Sequence, residues 1–160
     1  MWLSNRRTFL LAGLATGACG FTPVYGPGGA GARLQSSIAL PAPSTDRAFE
    51  FNRRFEARMG RGRRFDMELS LSSKKAGFGS TSTGSTTRYR LDGEAAYILR
   101  DAVTKVVLAE GKTTAFTGYS TTGSTVATLS AERDAKERLM VILADQVIDD
   151  LLLTASDLPA

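Results

Sequence analysis

The chain has no histidine and one cysteine in 160 residues. Without histidine it lacks the commonest general base, the commonest metal ligand and the usual physiological pH switch. One thiol and no imidazole leave no plausible ligand set for a zinc or iron–sulfur centre. They also exclude a disulfide within the chain. Aromatic residues are few, at 8%, and there is a single Trp. No uncharged apolar run reaches the ~20 residues that a transmembrane helix needs. What remains is an ordinary globular composition: 42% hydrophobic residues and a formal charge of +4. That size and composition suit one domain. Mild basicity is compatible with nucleic acid, a membrane surface or an anionic ligand, and does not choose among them.

The N-terminus is an address. "MWLSNRRTFLLAGLATGAC" places Arg6 and Arg7 in a positive n-region, an uncharged, mostly apolar run from Thr8 to Ala18, and small residues before Cys19. This is the three-part pattern of a secretory signal. The small residues before the cysteine resemble a lipobox, with Thr16 where Leu is usual. In such signals the thiol receives a diacylglycerol, and cleavage leaves Cys19 as the acylated first residue. The pattern predicts a signal peptide over 1–18 and no cofactor beyond that covalent lipid. "NRRTFL" also resembles a twin-arginine signal, so both export routes stay open. Removing residues 1–18 takes away two arginines and no acid, lowering the formal charge from +4 to +2. Two or three acyl chains anchor firmly, where one binds only marginally. "GFTPVYGPGGAGA" then has the Gly and Pro density of a linker, and the lipidated linker is expected over 19–33.

The folded domain is expected over 34–156, with a short tail at 157–160. "RLQSSIALPAP" reads as a short strand closed by Pro41 and Pro43. Ser44, Thr45 or Asp46 can cap a helix in which Ala48, Phe51, Phe55 and Met59 share one face, ended by Gly60 and Gly62. Phe65, Met67, Leu69 and Leu71 alternate with polar residues, as in a strand with one wet face. The small-residue stretch to position 87 reads as a loop. Alternation resumes from Tyr89 to Leu99, turns at "RDAVTK" and continues through "VVLAEGKTTAFTGY", where Gly111 suggests a bulge. A last helix is expected from a Ser130 cap, with Glu132 and Asp134 in its first turn. Its apolar stripe is Met140, Leu143, Ala144, Val147 and Leu151. The order predicts an α+β fold, a two-layer sandwich of a four-stranded sheet with two amphipathic helices on one face. Hairpin geometry puts the loops at 74–87 and 118–129 at one end. It puts Arg58–Arg64 and the turn near Asp101 at the other.

No constellation supports an enzyme. "EGKTT" lacks the first Gly of a phosphate loop, since Val106 stands there, and its flanks read as strand. Ser72 and Lys75 have the spacing of a serine–lysine dyad, but at the end of a strand they face opposite ways. Asp149 and Asp150 read as a solvated helix face. The basic cluster of Arg53, Arg54, Arg58, Arg61, Arg63 and Arg64 is either a solvated helix face or a phosphate contact. Lys74, Lys75 and Arg88 flank the first loop and form a second candidate. An exported protein does not meet nucleic acid as its phosphate source; phosphorylated lipid is the expected one.

"ACGFTPVYG", a lipobox cysteine followed by G-F-x-P-x-Y-G, resembles the start of the LptE family, the lipopolysaccharide-assembly lipoproteins. The element order and "RDAVTKVVLAEG" after a Tyr-and-Leu strand resemble it too. The resemblance implies a β-barrel partner, LptD, whose lumen the domain plugs. It also implies lipopolysaccharide binding and a role in barrel assembly, without enzymatic activity. Gly20 after the cysteine, with no Asp there, implies the outer membrane, with the domain on its periplasmic side. Only Cys19 carries over residue by residue. Arg61, Arg63, Arg64, Lys74, Lys75 and Arg88 are the lipopolysaccharide-contact candidates by charge. The alternative is a periplasmic lipid-binding lipoprotein serving another lipid transporter.

Overall fold

A computed structural model describes residues 26, 29–79, 84 and 86–158 of the chain. Arg6, Arg7 and Cys19, with the proposed signal and most of the linker, lie outside the described residues. Among the described residues seven elements follow in order: α1 (Ala30–Leu34), β1 (Ile38–Ala39), α2 (Asp46–Met59), β2 (Phe65–Gly77), β3 (Arg88–Asp101), β4 (Val107–Ser120) and α3 (Thr125–Thr154). The sheet order is β1-β2-β3-β4, with β1 parallel to β2 and the other pairs antiparallel. The predicted α+β sandwich of four strands and two amphipathic helices is therefore the fold, with the short α1 in addition.

Period-two burial builds the inner face. Phe65, Met67, Leu91, Ala95, Tyr97 and Leu99 are buried, while Glu68, Ser70 and Arg90 face solvent. Helix α3 lays Ala135, Leu139, Met140, Leu143, Ala144, Val147, Ile148 and Leu151 against this face. Helix α2 adds Phe51, Phe55 and Met59 to the same core. Its cap is Thr45, whose Oγ1 accepts from Ala48 N at 3.2 Å, so the middle of the three expected caps is used. The helix stops at Gly60, where φ is +73° and the amide donates to Glu56 O. A Cβ there would lie 2.5 Å from Ser36 Oγ, so glycine is required on two counts.

Several expectations are corrected. Leu34 belongs to α1 and not to a strand, and β1 keeps only Ile38 and Ala39. The run "LQSSI" fails as a strand because Ser36 turns with φ +53° to donate its amide to Met59 O. The last helix begins at Thr125, capped by Ser124, whose Oγ accepts from Ala127 N at 3.3 Å. Ser130 is thus inside the helix, and Glu132 and Asp134 are not in its first turn. The preceding small residues concealed a helix start whose apolar positions, Val126 and Leu129, remain exposed. The expected loops at 74–87 and 118–129 shrink for the same reason: β2 runs to Gly77 and β4 to Ser120.

Gly111 is not a bulge. It pairs in register with Tyr97, and a Cβ at 111 would lie 2.6 Å from Tyr97 Oη. The glycine clears a path for the tyrosine ring. The irregularity falls instead beside the hairpin turn, where Leu99 pairs with Ala109 and Arg100 with Val107, leaving Leu108 over.

The end-to-end arrangement agrees with the hairpin argument. Thr121 N donates to Thr87 O and Thr121 Oγ1 to Thr86 O, joining the two loops at one end. At the other end Ala102 N donates to Arg64 O.

Candidate functional site

The open face of the sheet carries a basic, aromatic patch at its loop end. Strand register places it in three rungs. Lys74, Asp92 and Phe116 form the first, Ala76, Arg90 and Gly118 the second. The third joins Phe78, whose amide donates to Arg88 O, to Arg88 and Ser120. Alternation sends the side chains of Lys74, Arg88, Arg90 and Phe116 to the face away from the helices. Phe78 and Phe116 are 65% and 63% exposed, which is unusual for Phe. Between them lies an open depression of about 410 Å³, also lined by Arg88, Arg90 and Gly118. Glycine at 118 keeps its floor low.

The charges of this patch are not equivalent. Arg90 is held twice: Nε donates to Asp92 Oδ1 at 2.6 Å, and the guanidinium lies over the Phe116 ring, 4.2 Å from its centroid. Arg88 and Lys74 make no ion pair among the described residues. Their charges are available to an anion. Two exposed rings beside free cations can receive a molecule that is apolar in one part and anionic in another.

Lys75 is turned the other way. Its Nζ donates to Glu132 Oε2 at 3.0 Å and lies 4.5 Å from the Tyr89 ring centroid. Tyr119, stacked on Tyr89 with centroids 5.5 Å apart, donates its hydroxyl to the same carboxylate oxygen. Lys136 holds the other oxygen at 2.7 Å. Donors from Lys136, Tyr119 and Lys75 pull Glu132 down to about 2, against a smaller opposing effect of burial. Lys75 in turn stays protonated well above its ordinary range, chiefly through Tyr119 and Glu132. This cluster fastens β2 and β4 to α3, so Lys75 is a structural cation. Ser72, on the opposite face of β2, has no access to it, and the apparent dyad dissolves.

The arginine cluster also divides. Arg54 grips Asp145 through Nε and Nη2, both at 2.8 Å, and Arg58 reaches the same carboxylate at 2.9 Å. Arg53 pairs with Glu50 and Glu137. These three join α2 to α3. Arg61, Arg63 and Arg64 lie beyond the helix, at the end opposite the aromatic patch. Arg61 pairs with Glu56, and Arg64 lies over the Phe65 ring at 5.0 Å. The candidate residues therefore occupy two ends and, for Lys75, the opposite face of the sheet, and no single site unites them. Sequence reasoning missed Phe78, Arg90 and Phe116. Phe116 and Arg90 fall on the wet parity of their strands, which was the available signal.

Residues 36–151 match the LptE family, described as lipopolysaccharide-assembly. The chain belongs to the LptE family. Solved structures share the LptE-like fold at low identity. One is a protein from Caulobacter crescentus CB15 classed among lipoproteins, at 19% identity and TM-score 0.64, covering 79% of this chain and 96% of that one. Another is rare lipoprotein B from Shewanella oneidensis, at 12% identity and TM-score 0.58, covering 77% and 97%. A third is a minor lipoprotein from Acinetobacter baumannii, at 15% identity and TM-score 0.54, covering 79% and 94%. No curated protein matches the chain in sequence. Among the described residues no helix is long and apolar enough to cross a membrane.

Proposed function

We propose that this LptE-family protein is a non-enzymatic lipoprotein, acylated at Cys19 and held at the periplasmic side of the outer membrane. There its domain plugs the LptD β-barrel, assists barrel assembly and takes part in lipopolysaccharide transport. It uses no cofactor beyond its own lipid. The observation that carries the reading is the loop-end patch, where two exposed phenylalanines flank free Arg88 and Lys74. Lipopolysaccharide presents both chemistries at once, phosphates for the cations and acyl chains for the rings. The depression is shallow and open, so it suits transient contact during passage. A carrier that extracts a lipid needs an enclosed cavity for its chains, which weighs against the periplasmic-carrier alternative.

Photo-crosslinking in cells tests the contact. A crosslinking residue in place of Phe116 is expected to give lipopolysaccharide adducts, weakened several-fold by Arg88→Glu. The same residue in place of Phe49, exposed on α2, is expected to give none. Equal labelling from both positions would contradict a site at the patch.

A further inference from the structure

We infer that, before it enters a barrel, the domain rests its end opposite the patch on the phospholipid surface, with the β3–β4 turn dipping into the headgroup layer. This rests on the reading of Cys19 as the lipid anchor.

Three observations converge. The first is apolar exposure at the turn. Val103 is 89% exposed, more than any other large hydrophobic residue described, and Val106 and Val107 stand beside it at 57% and 44%. The turn is held rigid beneath them. Asp101 Oδ1 accepts from Val103 N at 2.9 Å and Thr104 N at 2.8 Å, and Lys105 takes the left-handed conformation at φ +59°. A preformed apolar knuckle can enter an interface without an ordering cost.

The second is charge. Most acids around the turn are engaged; Glu110, in the rung of Glu68, makes no ion pair among the described residues. Asp101 caps those amides, Asp66 pairs with Lys105, Glu68 with Arg100 and Glu56 with Arg61. Asp149 pairs with Arg58 and Asp157 bonds Ser156. Arg63 is left exposed without an ion-pair partner among the described residues. The exposed surface pairs are weak, so Arg61 can exchange Glu56 for a lipid phosphate. The bases at this end are balanced by acids, so apolar insertion dominates, and anionic lipid adds a local attraction at the exposed Arg63.

The third observation selects the occupant. The described chain begins at this same end. Arg33, in α1, donates to Ala155 O at the C-terminus of α3 at 3.4 Å, and Ile38 pairs with Phe65, whose β3 partner is Asp101. Gly29 lies ten Cα–Cα steps beyond Cys19. Fully extended, these ten steps reach about 35 Å. Helix α3, with 30 residues, holds the other end about 45 Å away. The acyl chains therefore bring the valine knuckle, and not the aromatic patch, to the leaflet they enter.

The only cysteine makes the test clean, since acylation consumes it. The full mature lipoprotein carries Val103→Cys or, at the opposite end, Thr122→Cys, each labelled with an environment-sensitive fluorophore. Each is inserted into preformed vesicles of phosphatidylethanolamine and phosphatidylglycerol and floated. The Val103→Cys label is expected to shift to the blue and to lose several-fold of its quenching by aqueous iodide, with Thr122→Cys unchanged. Phosphatidylcholine vesicles or Arg63→Glu are expected to reduce that protection. Floating protein whose two labels are equally quenched would overturn the inference and leave the anchor standing. Protein that does not float would overturn the anchor, and this inference with it.

Discussion

Arg54 forms a two-pronged ion pair with Asp145, Nε to Oδ1 and Nη2 to Oδ2, both at 2.8 Å, linking the middle of α2 to the wet flank of α3. Arg58 shares the carboxylate at 2.9 Å. Burial pushes Asp145 up, but the hydrogen bonds and charges of the two arginines outweigh it and hold the carboxyl below its ordinary value. Asp145→Ala removes the acceptor of both Arg54 bonds and of the 2.9 Å Arg58 bond, leaving Arg58 its longer pair with Asp149 at 3.5 Å. Charged hydrogen bonds of this kind contribute about 1.5–3 kcal/mol when sheltered. Partial exposure brings the expected loss to about 1–2 kcal/mol. Urea unfolding of Asp145→Ala checks it, and Asp150→Ala, one residue on from Asp149, serves as the control with a change near zero.

Gly111 is expected to tolerate no side chain. A Cβ would lie 2.6–2.7 Å from the hydroxyl and ring of Tyr97, which is buried and cannot swing away. Gly111→Ala should cost about 1–3 kcal/mol, as overpacking does. Combining it with Tyr97→Leu should recover part of that loss, because the clash is with the ring. Thermal melts of the two single variants and the double variant measure the coupling.

The cluster around Glu132 predicts an acid-sensitive stability. Its carboxyl falls from an ordinary 4.5 to about 2 in the folded protein. A depressed carboxylate contributes stability that is fully present above the unfolded value and is lost as pH drops through the folded one. The window is therefore about pH 4.5 down to about 2. Glu132→Gln should be less stable than the parent at pH 7, and the gap should close across that window. A gap independent of pH would show that the contribution is packing alone.

Deleting residues 79–84 should spare the fold and weaken barrel association. Gly77 and Tyr89 close the last rung before the loop, and Phe78 N still finds Arg88 O. Circular dichroism should be unchanged, while recovery of the barrel with the tagged variant should fall several-fold.

The parts legible in the sequence were those with strict periodicity. The alternation of Phe65 to Leu71 and the stripe from Met140 to Leu151 each place one face against the core, and both are buried or half-buried as read. Element ends were harder. Ser, Thr and Gly between 118 and 129 carry a loop's composition, yet Ser124 caps a helix whose first turn has no core to touch. Gly111 carried the signature of a bulge, but its cause was a tyrosine on the neighbouring strand, which no local pattern records. The charged residues showed the widest gap. Lys74 and Lys75 are adjacent in sequence and opposite in space, one free on the open face and the other bound to Glu132. Charge alone could not separate them, whereas strand parity could. Phe116 and Arg90 lay on that same outward parity, and their stacking becomes visible only once β3 and β4 are in register.

The barrel decides the proposed function. Purification of the tagged, acylated protein from detergent-solubilised outer membranes should bring down a β-barrel of LptD size in a stable complex. Repeated recovery of the acylated protein from that fraction without such a barrel would contradict it.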